Sequence, residues 1–392
     1  MTHSIIRSTY ALVFAAACTT PRDHVPEPDA SPDASPDAPT VPGGCVKHED
    51  CTSNVCLPDG ACAHAGSVAY VDPMGTSGTA CTPAMPCTSL QAALDTKRPY
   101  IKMAGTTDAH VSIIDQDVTV FAEAGAKLTS KTTGNLLVVG GRSHVSIYDL
   151  IVTGSTGIDD PGGTGILLPM GNTATLSLVR AVISNSEGTG LLAYGGIVNV
   201  TKCTVSGNDI AGLGTQGGEL NVTQSKIQNN GEGGIYLKDP TRFRITNNFI
   251  YGNGGPIANA GGLYLEAASN SAASNQVAFN TIIDNQSDMN ESNLAGGVVC
   301  NVPGFVAANN LIFRNLGGPN NNTQVSGTCQ YGNSVLTTPS NPGFASTTDY
   351  HLTAQTPSAI LDKGDCGGIQ VDIDGDARPR GAGCDLGADE FR

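Results

Sequence analysis

The chain repeats itself at an interval of 22 residues, and a repeat that short leaves few folds open. NVTKCTVSGN at 199–208 recurs as NVTQSKIQNN at 221–230, and Gly190, Gly212 and Gly234 fall at the same interval, each followed by Leu191, Leu213 or Ile235. Leu178, Val200 and Val222 form a second column, and Ile183, Val205 and Ile227 a third. The columns continue at wider spacing through Gly262-Leu263, Gly297-Val298, Ile250, Ile282 and Ile312, and Gly165-Ile166 begins them. Three residues after the isoleucine column stands a polar series: Ser186, Asn208, Asn230, Asn253, Asn285 and Asn315. Within a unit, runs such as Leu220-Asn221-Val222-Thr223 alternate apolar and polar, the period of a strand with one buried face. Glycine and asparagine stand at the breaks, where backbones often need positive φ. The unit is too short for a helix pair and too polar for a leucine-rich repeat. It fits one coil of a parallel β-helix, in which apolar columns fill the interior and asparagines stack as ladders in the turns. The wider spacings are loop insertions on regular coils, and about eight or nine coils are expected. Segment 86–95, PCTSLQAALD, breaks the pattern. Thr88 or Ser89 there is placed to cap a short helix with Leu90, Ala93 and Leu94 on one face, a lid for the first coil.

Composition agrees with a turn-rich all-β chain: Gly is 49 of 392 residues, charged residues are 14%, aromatics 5%, and Trp is absent. The net charge of −15 excludes a nucleic-acid partner, since no row of cations is available to neutralise phosphates.

Residues 1–17 read as an export signal, weakly basic at His3 and Arg7 and apolar to Ala17. Ala15-Ala16-Ala17 before Cys18 resembles a bacterial lipobox, which implies lipidation of Cys18, and Thr19 behind it points to the outer membrane or cell surface. Plain secretion is the alternative. No apolar run reaches the ~18–20 residues of a spanning helix, so membrane contact is expected through the lipid anchor only. Residues 18–44 carry a Pro- and Asp-rich spacer with P-D-A three times over, expected to be disordered. Cys45, Cys51, Cys56 and Cys62 define a small Cys-rich module over 45–66 with two internal bridges of open connectivity. Further bridges are expected at Cys81–Cys87 and Cys366–Cys384, as befits an oxidising compartment. Cys300 and Cys329 are left unassigned, and Cys203 is expected as a buried free thiol. No C-x-x-C and no finger-like histidine spacing supports zinc.

The G-[IL] and N-x-[IV] columns resemble right-handed parallel β-helix repeats of the pectin-lyase-like superfamily. The tail, from Asn341-Pro342-Gly343-Phe344 through Asp349-Tyr350-His351-Leu352, Ser358 to Gly364, Asp372-Ile373-Asp374-Gly375-Asp376-Ala377-Arg378-Pro379 and Asp385 to Glu390, resembles the C-terminal segment of bacterial β-helix surface proteins of the choice-of-anchor Q type. The resemblance implies an all-β, right-handed parallel β-helix over 67–335 with a capping segment over 336–392.

The superfamily spans lyases, hydrolases, tailspikes and adhesins, so fold alone assigns no chemistry. Asp159-Asp160 lacks the companion motifs of the hydrolases. Lys238, Arg242 and Arg244 with Asp239 suit lyase chemistry in composition only, and His110, His144 and His351 are isolated, so a histidine-based site lacks partners. No cofactor is expected. Were calcium held, Asp372, Asp374 and Asp376 would be the place, although Ala377 and Gly383 stand where such a loop wants Gly and Glu, which favours a structural turn. In the strand after each column glycine, Leu191, Leu213, Ile235, Leu263 and Val298 point inward, so the outer stripe collects Tyr194, Gln216, Tyr236, Lys238, Tyr264, Glu266 and Asn301. The expectation is a non-catalytic surface protein that binds a polysaccharide or a cell-surface component there. The alternatives are a polysaccharide lyase or glycoside hydrolase, with Lys238, Glu266 or Arg242 as its reactive groups, and a purely structural or adhesive rod.

Overall fold

The computed structural model describes residues 44–75, 79–157, 162–268, 274–291, 293–318, 322–336 and 342–391. The signal, Cys18, the spacer and Asp159-Asp160 lie outside the described residues.

Alternation along each run decides which side chains enter the core. Strand Ile197–Thr201 buries Val198 and Val200 and turns Asn199 outward. Strand Glu219–Thr223 lies beside it in parallel, with Val198 on Leu220, Asn199 on Asn221 and Val200 on Val222, so the sequence interval is the hydrogen-bonding register. The same relation builds three parallel sheets: a long sheet of eleven strands, from Val68–Val71 to Gln330–Gly332; a short-strand sheet of nine, from Thr106–Asp108 to Leu311–Phe313; and a glycine-led sheet of nine, from Val111–Ile114 to Val325–Gly327. Nine coils visit them in that order, around one continuous apolar core of stacked Val, Ile and Leu. This is an all-β parallel β-helix.

Two buried amide ladders run through its turns. In the turn after the short-strand sheet, the side chain of Asn208 donates to Asn230 (2.8 Å), Asn230 to Asn253 (2.8 Å), Asn253 to Asn285 (2.9 Å) and Asn285 to Asn315 (2.9 Å). Each of these oxygens also accepts the preceding ladder residue's backbone N–H. A second ladder, Asn248 to Asn280 (2.9 Å) to Asn310 (3.0 Å), occupies the two-residue turn between the long and short-strand sheets. Positive φ belongs to the residue just before each ladder position, such as Asn229 and Gly252 in the first turn and Asn247 and Phe279 in the second. The column glycines have a different reason. A Cβ on Gly234 would lie 2.6 Å from the Gly262 carbonyl oxygen and 3.1 Å from the Asn253 amide, and Gly190, Gly212, Gly262 and Gly297 are hemmed in the same way. Glycine is needed there for close approach, not for φ.

The helix Leu90–Asp95 is capped by Ser89, whose hydroxyl accepts the Ala92 N–H at 3.2 Å, and buries Leu90, Ala93 and Leu94. It packs against the first strands of the long and glycine-led sheets and closes that end of the core. The Cys-rich module carries the bridges Cys45–Cys56 and Cys51–Cys62 and packs Val55 and Ala63 with Val68, Tyr70 and Phe121 on the outer side of the long sheet. Cys81–Cys87 and Cys366–Cys384 are bonded, and so are Cys300 and Cys329, 29 residues apart in sequence.

The C-terminal segment, expected as a cap, lies instead along the flank of the coils. Phe249, Ile283, Leu311 and Phe313 point outward from the short-strand sheet and are covered by Tyr350, Leu352, Ile360, Ile373, Leu386 and Ala388. Earlier coils carry Thr204, Ser206, Lys226 and Gln228 at the matching positions and need no cover. Within the segment, Arg378 and Glu390 form a buried ion pair at 2.8 Å, and the Arg378 guanidinium also donates to the Asp385 and Gly387 carbonyls.

Asn253→Ala would strip partners from buried donors on one side and acceptors on the other. A loss of about 3 kcal/mol or more is expected, against about 0.5 kcal/mol for Asn199→Ala on the half-buried outer face. Denaturant unfolding of both variants measures the contrast. Cys203 is 1% exposed, and burial pushes its thiol up to about 12. It is expected to resist a thiol reagent in native buffer and to react at once in denaturant, with Cys203→Ala costing about 1 kcal/mol or less because Ala181 and Ser225 fill the same column.

Candidate functional site

The register of the glycine-led sheet draws the outer stripe together. Leu192, Gly214, Tyr236, Tyr264 and Val299 stand in consecutive strands at one level, and Gln216, Lys238, Glu266 and Asn301 at the level two residues on. Leu191, Leu213, Ile235, Leu263 and Val298 fill the interior behind them, none more than 2% exposed. Tyr194 follows strand Leu191–Ala193 and is half-buried.

Tyr236 and Tyr264 are stacked, with ring centroids 4.5 Å apart and planes within 6°. Stacked along the coil axis, the two rings hide one face each and offer edges and hydroxyls outward. The Tyr264 hydroxyl donates to Glu266 at 2.7 Å. Burial and then the Glu266 carboxylate raise the pKa of both phenols, so both remain protonated donors at neutral pH. Ala260, Leu294 and Ala295, from the insertions after the short-strand sheet, pack with Tyr264 and Val299 and wall one side of the stripe. Gln216, Lys238 and Asn301 are exposed beside that wall. Four polar side chains and two phenols thus share one surface, in steps of about 4.8 Å per coil.

Arg242 is not on this stripe. It belongs to the long sheet, where its guanidinium meets Glu219 across neighbouring strands at 2.8 Å. Arg244 is exposed on the same sheet, and Asp239, with positive φ, turns the corner after Lys238. The constellation is therefore split between two faces.

The histidines that stand apart in sequence each find partners on other segments. His144 meets Asp117 of the preceding coil at 2.9 Å, and His110 lies 3.1 Å from the Ser130 hydroxyl. His351 is held by Asp349 at Nδ1 and faces Asp374 from Nε2 at 3.0 Å. Hydrogen bonding to His351 pulls the Asp349 carboxyl down, and burial pushes the Asp389 carboxyl up.

The aspartate triplet is not a unit. Asp372 is fully buried, and one of its oxygens accepts the N–H groups of Asp374, Gly375 and Asp376 at 2.8 to 3.0 Å. Its other oxygen accepts the Glu390 N–H, and Asp376 pairs with Arg380 at 2.9 Å. The Asp372 oxygens are thus committed to shaping a turn, and only Asp374 looks toward His351 and Asp389.

Residues 135–345, just over half of the chain, match the family described as right handed beta helix region, and the protein belongs to that family. Among solved structures it is similar to pectate lyase Pel9A, with a TM-score of 0.57 and 15% identity over 83% of this chain and 96% of that one. It is also similar to the Dettilon tailspike protein gp208, with a TM-score of 0.39 and 14% identity over 73% of this chain and 71% of that one. No curated protein sequence matches the chain. At such identities the likeness is one of fold alone: a right-handed, pectate-lyase-like parallel β-helix.

Proposed function

We propose that this is an exported β-helix surface protein, lipid-anchored at Cys18 and held off the membrane by the 18–44 spacer, that binds a polysaccharide or another cell-surface component without chemistry. The observation that carries the reading is the stripe on the glycine-led sheet. The stacked edges of Tyr236 and Tyr264, with Gln216, Lys238, Glu266 and Asn301 in adjoining coils, supply apolar surface and hydrogen-bonding groups at regular steps. An extended chain of sugar rings running along the coil axis would meet a polar side chain at each of these coils and the tyrosine pair at two of them. The insertion wall supports a groove-like seat for it.

A second reading, lyase chemistry, rests on Lys238 standing next to Glu266 in the ladder, where the amine would take the proton α to a uronate carboxylate. Product release from an acidic polysaccharide, abolished by Lys238→Ala, would establish it over the first.

On a glycan array probed with the full chain, Tyr236→Ala combined with Tyr264→Ala is expected to weaken any hit at least tenfold, about 1.4 kcal/mol, with an unchanged circular dichroism spectrum. Unchanged binding would remove the stripe as the site and move it to the 254–262 and 286–296 insertions. For the anchor, Cys18→Ser is expected to abolish incorporation of labelled fatty acid and shift the protein from the membrane to the soluble fraction. A mature wild-type chain that starts at Cys18 without lipid would leave plain secretion.

A further inference from the structure

Three stretches of the C-terminal segment, distant in sequence, converge on one point. The 349–351 arm brings His351, the tight turn at 372–376 brings Asp374, and the last residues bring Asp389. One ligand atom from each lies within 4.8 Å of the other two. Donors around a tetrahedral zinc ion, with bonds of about 2.0–2.2 Å, sit a little over 3 Å apart, so only small side-chain movements separate this cluster from a coordination sphere.

Each donor is already aimed. The His351 ring stands edge-on to Phe249 at 5.1 Å, and the Asp349 carboxylate holds its Nδ1. That is the carboxylate–histidine arrangement that fixes the tautomer and leaves Nε2 free to ligate, and here Nε2 faces Asp374. The Asp374 N–H donates to the buried Asp372 carboxylate, which sets the turn. Asp389 is 93% buried by its 7% exposure, and one of its oxygens accepts the Leu352 N–H at 2.6 Å. Among the described residues, no lysine or arginine forms an ion pair with Asp389. A buried carboxylate is ordinarily paired with a cation or coordinated to a metal. Here a single imidazole stands among three carboxylates, too little positive charge for the negative charge gathered.

We propose that His351, Asp374 and Asp389 form a divalent transition-metal site, for which Zn²⁺ is the fitting ion, that ties three stretches of the C-terminal segment to one another. One imidazole nitrogen and two carboxylate oxygens make a zinc-type donor set, whereas calcium wants six to eight oxygens. Asp374 is exposed, so the fourth position opens to solvent. The site is distinct from an aspartate-triplet calcium loop, because Asp372 and Asp376 are engaged elsewhere.

The test uses the full chain stripped with EDTA and titrated with ZnCl₂, followed by calorimetry and thermal unfolding. One zinc per chain and a melting temperature raised by several degrees are expected. His351→Gln and Asp374→Asn should each weaken zinc binding at least tenfold and remove the thermal shift, while His144→Gln, on a different face, should leave both unchanged. Should His351→Gln fail to fold, Asp374→Asn at an exposed side chain decides alone. Absent zinc binding, zinc binding unaffected by Asp374→Asn, or a thermal response to Ca²⁺ and none to Zn²⁺ would each overturn the assignment.

Discussion

Each buried ladder asparagine in this protein relies on the coils next to it for partners, and the regularity of the stack follows from that dependence. The Asn253 side chain spends its donors on the Ile227 carbonyl and the Asn285 oxygen, and its oxygen takes two N–H groups from Asn230. None of these partners lies in its own coil, so a coil that slipped by one residue would leave buried polar groups unpaired above and below. The ladder also dictates the glycine column. The amide of one coil's asparagine presses against the glycine of the preceding coil, leaving no room for a methyl group. Two columns that look independent in the sequence are therefore two sides of one contact.

A fixed interior pushes variation outward. The wider spacings at 254–262 and 286–296 fall between the short-strand and glycine-led sheets, after the ladder position, where extra residues disturb neither ladder nor core. Those insertions then fold back on Tyr264 and Val299. The surface they border differs from a flat aromatic platform, because parallel register at one level forces Tyr236 and Tyr264 to stack on each other. Such a pair offers ring edges and hydroxyls outward, beside the neighbouring polar level.

Features that recur every coil were legible in the sequence; features made by single long-range encounters were not. The 22-residue interval gave the register outright, and alternation placed Leu191, Leu213 and Ile235 inside. The second ladder was within reach as well, since Asn248, Asn280 and Asn310 each stand two residues before the isoleucine column. By contrast, Cys300 and Cys329 meet across adjacent coils of irregular length, which no spacing rule foretells. The convergence of His351, Asp374 and Asp389 depends on how a segment almost without regular strands wraps on itself. A sequence signal for the docking of that segment did exist: Ile283 and Phe313 interrupt an outward column that runs Thr153, Ser184, Ser206 and Gln228 in earlier coils.

That interruption bears on where a partner can sit. A β-helix coil buries one face of each strand, and its outer faces are left to water unless something covers them. Here the first strands of the long sheet are covered by the Cys-rich module through Phe121 and Tyr70, and the later strands of the short-strand sheet by the C-terminal segment. In both places the outward residues are mostly apolar, with Lys102 and Thr281 among the exceptions, and in both the chain supplies its own cover. The middle coils of the glycine-led sheet are different. Their outward residues, Gln216, Lys238, Glu266 and Asn301, are polar enough to stand in water, yet the two tyrosines beside them are only partly sheltered by the insertions. A surface covered by its own chain is more apolar than this one, as the flank under the C-terminal segment shows. The mixture of polar side chains with a tyrosine pair is what the proposed binding of a hydrated, hydroxyl-rich partner rests on.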